Sequence, residues 1–256
     1  MLFLQSAILG LIEGITEFLP VSSTGHLILA STLLGIAQSD FQKTFEIVIQ
    51  LGAILAVVAV YWREFLKIES LKKILAAFIP TGIIGLALYK VVKTYLLGND
   101  AVVLWALGLG GVALILFEYM HTERDAASAS INEISYKQAV WIGLFQSLSI
   151  IPGVSRSAAT ILGGLLVGLK RRTIVEFSFL LAVPTMVAAS GLDLVKTSAT
   201  FNIAQVGALA IGFLVAFIVA LFSIRFLLQY IRSHSFVPFG IYRIIVALVF
   251  FFLVLK

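Results

Sequence analysis

Long uninterrupted apolar runs dominate the chain. Six of them approach or exceed the ~20 residues needed to cross a bilayer core: Phe45–Trp62, Ile74–Leu97, Ala101–Met120, Phe177–Val195, Ile203–Leu228 and Phe239–Leu255. They predict six spanning helices. Two other segments, Met1–Ala37 and Tyr136–Gly168, are also apolar but are broken midway by proline and small hydroxylated residues. The halves on either side of each break are 12 to 18 residues long, short for a full crossing. Two short helices around a polar break predict a re-entrant hairpin, a form tolerated only where protein buries the break.

Superposed with a shift of 133, the two broken segments correspond. Gln5 falls on Gln138, Gly10-Leu11 on Gly143-Leu144, and Thr16 on Ser149. Val21-Ser22-Ser23-Thr24 falls on Val154-Ser155-Arg156-Ser157, with Pro20 and Pro152 one place out of register. The expected fold is therefore an all-α integral membrane protein with about six transmembrane helices and two re-entrant helical hairpins. It forms a single polytopic domain over 1–256, built from an inverted-topology repeat of about 1–120 and 134–256.

Composition agrees. Apolar residues make up 61% of the chain and charged residues 12%, about half the charged share of a soluble domain, which excludes a water-soluble surface. Cysteine is absent, so disulfides and thiolate metal sites are excluded. The N-terminus lacks a basic n-region and carries Glu13 and Glu17 where a cleavable signal has only apolar residues, so it is expected to stay attached.

The net charge of +5 reads as cationic cytoplasmic loops rather than as a nucleic-acid surface. With the Arg63–Lys73 loop in the cytoplasm, His121–Lys137, Lys170–Thr173 and Arg225–Arg243 fall on the same side, and these regions hold 12 of the 18 Lys and Arg residues. The opposite side holds five (Lys43, Lys90, Lys93, Lys196 and Lys256), and Arg156 lies in the membrane. That split satisfies the positive-inside rule. It also makes the first hairpin enter from outside and the second from the cytoplasm. Inverted repeats with broken helices meet at the midplane, where binding sites sit.

The chemistry at the breaks fits such a site. In the first, Glu13 and Glu17 are spaced i, i+4 with Thr16 on the same face. Two carboxylates in hydrocarbon are costly and mark a cavity. They could hold a divalent metal, share a proton, or supply a base. Pro20 followed by Ser22, Ser23 and Thr24 predicts a proline-led helix start whose hydroxyls cap free N–H groups, an anion site. Ser23 and His26, at i, i+3, are expected to share a face. The second break repeats the pattern in Pro152, Ser155 and Ser157 and adds Arg156, whose guanidinium suits bidentate phosphate binding. A resting ion pair of Arg156 with Glu13 or Glu17 is compatible with that role. Arg156 is the sole cation expected where the breaks meet.

Other features read as structural. Gly10/Gly14 and Gly164/Gly168 have the small-xxx-small spacing of closely packed helices. Trp62, Trp105 and Trp141 lie near segment ends as interfacial anchors. Lys170-Arg171-Arg172 is a topology signal, and Glu46 and Gln50, one turn apart, could line a cavity.

At these segments the chain resembles the undecaprenyl-diphosphate phosphatases of the bacitracin-resistance type. Glu13-Gly-Ile-Thr-Glu17-Phe-Leu-Pro-Val-Ser-Ser-Thr-Gly-His26 is similar to the first motif of that family, and Pro152-Gly-Val-Ser-Arg156-Ser to its second. Phe45-Glu-Ile-Val-Ile-Gln-Leu-Gly and Glu176-Phe-Ser-Phe-Leu-Leu-Ala-Val-Pro also look like family segments. Ala158 departs from the family's usual glycine without removing a functional group. The resemblance implies hydrolysis of undecaprenyl diphosphate to the monophosphate, recycling the lipid carrier of cell-wall synthesis. It also implies dependence on a divalent cation, Mg or Ca. The implied catalytic residues are Glu13, Glu17, Ser23 and His26, with Glu13 and Glu17 also as metal ligands. Arg156, Ser22, Thr24, Ser155 and Ser157 would bind phosphate. The expected partners are the polyprenyl diphosphate lipid and membrane lipids, not nucleic acid, with a homodimer as a possible assembly. The expected location is the bacterial inner membrane, with the active site opening toward the periplasm.

Two other readings fit parts of the pattern. A secondary transporter or flippase for an anionic lipid phosphate would also use inverted repeats and a midplane cation. A type-2 phosphatidic-acid phosphatase would need a histidine where Leu162 stands.

Overall fold

The structure, a computed structural model, describes residues 3–37, 39–96, 98–121, 130–196 and 202–254, and of 192–196 the backbone alone. The predicted segment limits at Met1, Leu97 and Leu255, residues 122–129 of the predicted cytoplasmic loop, the Lys196 side chain and Lys256 lie outside the described residues.

The described chain folds as ten α-helices. Six are long and apolar enough to cross a membrane, and each is a predicted run extended by a few residues. They are α3 (Asp40–Phe65), α4 (Ile68–Val91, prolonged by a π-helical turn Val92–Leu96), α5 (Asp100–Met120), α8 (Arg171–Lys196), α9 (Ile203–Tyr230) and α10 (Val237–Val254). Polar caps set several starts. Ser39 accepts from the Gln42 N–H, and Asn202 and Gln205 form a capping box. Arg171 and Arg172, expected only as topology charges, are also paired: Arg171 grips Glu118 with two nitrogens and Arg172 holds Glu176.

The broken segments give the remaining four helices: α1 (Phe3–Thr16) and α2 (Ser23–Leu33), then α6 (Tyr136–Gln146) and α7 (Arg156–Leu166). At 1.5 Å per residue none exceeds about 21 Å, too short to cross a ~30 Å hydrocarbon core. Each pair folds back on itself. Gln5 near the start of α1 donates to the Leu34 carbonyl just past α2, at 3.2 Å. Gln138 near the start of α6 donates to the Val167 carbonyl just past α7, at 2.9 Å.

Packing runs across the two halves of the chain. α1 lies on α9, and α6 lies on α4; α5 packs on α10 and α3 on α8. Glycine makes the first two contacts possible. A Cβ on Gly10 would sit 2.5 Å from the Gly212 carbonyl oxygen, and one on Gly143 would run still closer into that of Ala77. Backbone meets backbone, so no side chain fits. Gly14 is also tightly packed, though less so, against Ala216 and Val219. The other expected pair divides: Gly164 presses on Ile174, but Gly168 touches nothing and instead takes the left-handed turn (φ 82°) that ends α7.

Candidate active site between the two breaks

The first break, residues 17–22, and the second, 147–155, face each other inside the bundle, and direct bonds join them. Arg156, the first residue of α7, donates through Nη2 to Glu17 Oε1 at 2.8 Å. Ser157 Oγ donates to the Phe18 carbonyl at 2.8 Å. The Arg156 guanidinium also lies over the Phe18 ring, 5.8 Å from its centroid, and Nη1 reaches the Ser178 carbonyl of α8 at 3.0 Å. This is the resting ion pair foreseen for Arg156, with Glu17 as its partner.

Glu17 is bound on both oxygens. Ser23, at the start of α2, donates to Oε2 at 2.7 Å. A hydroxyl, a carboxylate and a guanidinium thus stand in one line, contributed by both breaks. A cavity of about 160 Å³ opens beside them. Glu17, Ser22, Ser23, Thr24, Ser155 and Arg156 line it, with Gln50 of α3 and Thr185 and Met186 of α8. The start of α2 carries free donors: Ser22 precedes it at φ 71° and its hydroxyl caps no N–H. Pro20, expected in the first turn of α2, lies in the turn before it. The start of α7 is closed instead, because Ser155 Oγ accepts from the Ala158 N–H at 3.2 Å.

Glu13, on the last turn of α1, is fully buried and accepts no hydrogen bond on either oxygen. Glu17, Glu46 and Arg156 are the charged groups acting on it. A buried carboxylate with no donor is several kcal/mol out of balance, so a proton or a cation must meet it. Glu46 itself accepts from Gln42 Nε2 at 2.9 Å. Of the expected Glu46/Gln50 pair, Gln50 lines this cavity and Glu46 faces Gln42.

Two expected site residues stand elsewhere. His26 does not share the cavity with Ser23. Its Nδ1 lies 2.7 Å from the Ser22 carbonyl oxygen and must donate there, so in the neutral ring Nε2 accepts from the Tyr242 hydroxyl at 2.8 Å. Both nitrogens are engaged in holding the break against α10. Ser157 is fully buried and serves as a tie between the breaks rather than as part of the cavity wall.

One residue was missed. By sequence position Arg243 falls among the cytoplasmic loop charges, which leaves Arg156 as the only cation expected at the junction. Instead Arg243 is buried within α10, 1% exposed, and its guanidinium reaches both breaks. The signal was present in the sequence, since the apolar run predicted over Phe239–Leu255 contains it. Moving one of the twelve cytoplasmic cations to the interior leaves the charge asymmetry standing.

Residues 6–249 match the family model described as "Bacitracin resistance protein BacA". Among curated relatives, an undecaprenyl-diphosphatase of Sulfurihydrogenibium is 54% identical over 97% of this chain and 98% of its own length. One of Aquifex aeolicus is 51% identical, covering 96% of both chains. One of Campylobacter jejuni is 50% identical over 98% of this chain and 94% of its own.

Proposed function

The chain belongs to the bacitracin resistance protein BacA family, and from that premise we propose that it is a membrane-embedded undecaprenyl-diphosphatase. Its reaction is hydrolysis of the polyprenyl diphosphate anhydride to the lipid monophosphate and inorganic phosphate. The observation that carries the assignment is the Ser23–Glu17–Arg156 line beside the cavity, with hydroxyl and carboxylate at 2.7 Å and carboxylate and guanidinium at 2.8 Å.

In this reading the diphosphate enters the cavity, and Arg156 turns from Glu17 to the oxygens of the terminal phosphoryl group. The free N–H groups at the start of α2, with Ser22 and Thr24, bind the same anion. Ser155 contributes from the opposite wall. Ser23 Oγ attacks the terminal phosphorus while Glu17 Oε2 takes its proton. As the Ser23 O–P bond forms, the bridging P–O bond breaks and the lipid monophosphate leaves. Glu17 passes its proton to the departing lipid phosphate. Water then attacks the phosphoserine and gives a proton to Glu17, which returns it to Ser23 Oγ as the Ser–P bond breaks and inorganic phosphate is released. His26 contributes through the Ser22 carbonyl, by fixing the backbone that presents Ser23.

A divalent cation fits the donors present. Among the described residues no three carboxylate or imidazole groups converge. The two unpartnered oxygens of Glu13, with Glu17 beside them, are nonetheless the donor type that Mg²⁺ takes when phosphate oxygens and water complete its shell. Bound there, it would neutralise charge on the diphosphate. The fit is poorer for Ca²⁺, which prefers more oxygen ligands.

The matched Gln5 and Gln138 bonds and the exchange of partners between α1–α9 and α6–α4 support an inverted pair of re-entrant hairpins. Placement in the inner membrane with a periplasmic opening draws on two features. Cations crowd the opposite end, and Gln50 lies in the first half of α3 while Thr185 and Met186 lie in the second half of α8. A single cysteine at position 69 (Glu69→Cys) should stay unlabelled by an impermeant thiol reagent in intact cells; labelling would reverse the orientation. The activity itself is tested by phosphate release from a polyprenyl diphosphate by the detergent-purified protein. Binding without release would favour carriage of the lipid instead.

A further inference from the structure

Arg243 is a buried cation that takes part in none of the ion pairs among the described residues. Backbone carbonyls satisfy it instead, and they come from three separate places. Nε donates to Leu107 at 3.3 Å and Nη2 to Ala106 at 2.8 Å, both on α5. Nη2 also donates to Gly153 in the second break at 3.1 Å, and Nη1 to Pro20 in the first at 3.4 Å.

We infer that Arg243 is a positioning residue for phosphoryl transfer, a clasp that sets the first break against the second. The reacting groups come from different breaks: Ser23 and Glu17 from one, Arg156 from the other. Their mutual geometry is therefore only as good as the joint between two helix interruptions, of which the second holds one short 3-10 turn, Ser147–Ile150. Arg243 bonds one carbonyl of each loop through a single rigid plane and anchors that plane to α5. A flat fork with donors on three nitrogens can do this, whereas an ammonium on a flexible stem cannot.

The surroundings are shaped for it. A Cβ on Gly110 would run into Nη2, so α5 is hollowed where the guanidinium rests. Gly153 holds φ 92° and packs on Val103, which turns its carbonyl inward. The neighbouring residue Tyr242 meets His26, which in turn holds the Ser22 carbonyl. Two consecutive residues of α10 thus grip the first break before and after its strained turn. If filling space were the whole role, an apolar side chain would serve without burying a charge.

This inference rests on the phosphatase reading, and its test separates the two. Arg243→Gln should remain folded and lose turnover on a polyprenyl diphosphate by roughly 10²-fold, the scale of a small misplacement of reacting groups, with KM little changed. Arg243→Lys should fall between it and the parent protein. Since the chain has no cysteine, spin labels can be placed at the exposed residues Ile15 and Ile151, one beside each break. Their distance distribution should be narrow with Arg243 present and broad in Arg243→Gln. A folded Arg243→Gln protein with unchanged kcat and an unchanged narrow distance would overturn the clasp. Should that variant not fold, Gly110→Ala decides, because it keeps the charge but takes the guanidinium's space. Lowered kcat and a broadened distance support the clasp, and parent-like behaviour of both refutes it. Failure of the parent protein to release phosphate would break the phosphatase reading, while the distance measurement would still decide the clasp.

Discussion

Gln5 donates to the carbonyl of Leu34, and Gln138 donates to that of Val167, with donor and acceptor each displaced by 133 residues. Gly35 and Gly168, at the same displacement, both take positive φ just after those carbonyls. Gly10 and Gly143, again matched, both lie against backbone of the other half. The positions that carry charge behave differently. Glu13 is matched by Gln146, Glu17 by Ile150, Ser23 by Arg156 and His26 by Ala159. Gln146 is also fully buried; its amide nitrogen donates to Thr81 at 3.0 Å and Thr185 at 2.9 Å, while its Oε1, like both oxygens of Glu13, meets no donor. Positions that close each hairpin are therefore the same, and the positions proposed for chemistry differ. The reason is electrostatic. Phosphoryl transfer needs a nucleophile with a base and a cation, and two identical loops would present like charges to each other.

The largest expected effect comes from erasing the divergence at Glu17. Glu17→Gln keeps shape and burial but removes the acceptor for the Ser23 proton and the partner of Arg156. Turnover should fall on the order of 10²–10⁴-fold, with the melting temperature of the purified protein showing that it still folds. Full activity in Glu17→Gln, together with full activity after chelation, would sink both the base and the metal roles of this carboxylate.

Next is the cation that the second hairpin supplies. Arg156→Ala should cost roughly 10²–10³-fold in turnover, by analogy with the loss of a preorganised donor to a developing oxyanion. Arg156→Lys keeps the charge without the planar fork and should lie between that and the parent protein. A well-folded Arg156→Ala protein with undiminished phosphate release would remove Arg156 from the site and leave the two hairpins chemically unpaired.

The matched positions should give smaller effects, on stability rather than rate. Gly10→Ala and Gly143→Ala should each destabilise by about 1–3 kcal/mol through overpacking, Gly143→Ala more because its clash is the closer. Gln5→Ala and Gln138→Ala should each cost about 1 kcal/mol for a lost hydrogen bond. Thermal unfolding in one detergent compares all four. Opposite signs within either pair would mean that the scaffold positions are not equivalent after all.

The sequence shows such a molecule unevenly. Spanning helices are legible because each needs a long apolar run, and all six predicted runs recur as helices. The carboxylates and Arg156 are legible because a charge between apolar residues has to be neutralised by something nearby. Arg243 was hidden by its position, four residues inside an apolar run and close enough to a basic loop to pass for one of its cations. Its partners are carbonyls, which every residue has, so no pattern of residue types announces them. The orientation of His26 was equally hidden. Helical spacing puts it near Ser23, but which side of α2 faces the cavity is decided by α10, far along the chain, through Tyr242. The open start of α2 depends on a positive φ at Ser22, which serine does not advertise.

The bond between Arg156 and Glu17 has a consequence for how tightly the site can hold anything. A guanidinium already paired with a carboxylate at 2.8 Å, with only its Nε unpartnered, is not a vacant socket, and in the proposed mechanism an arriving phosphate would have to displace that anion. Ground-state affinity is then the small difference between two similar ion pairs, for substrate and for released phosphate alike. On that proposal the fork would be fully used only by the flattened phosphoryl group midway through transfer, where binding speeds the reaction instead of slowing release. A lipid that has to be handed back to the membrane in every cycle would then leave such a site without a deep ground-state trap.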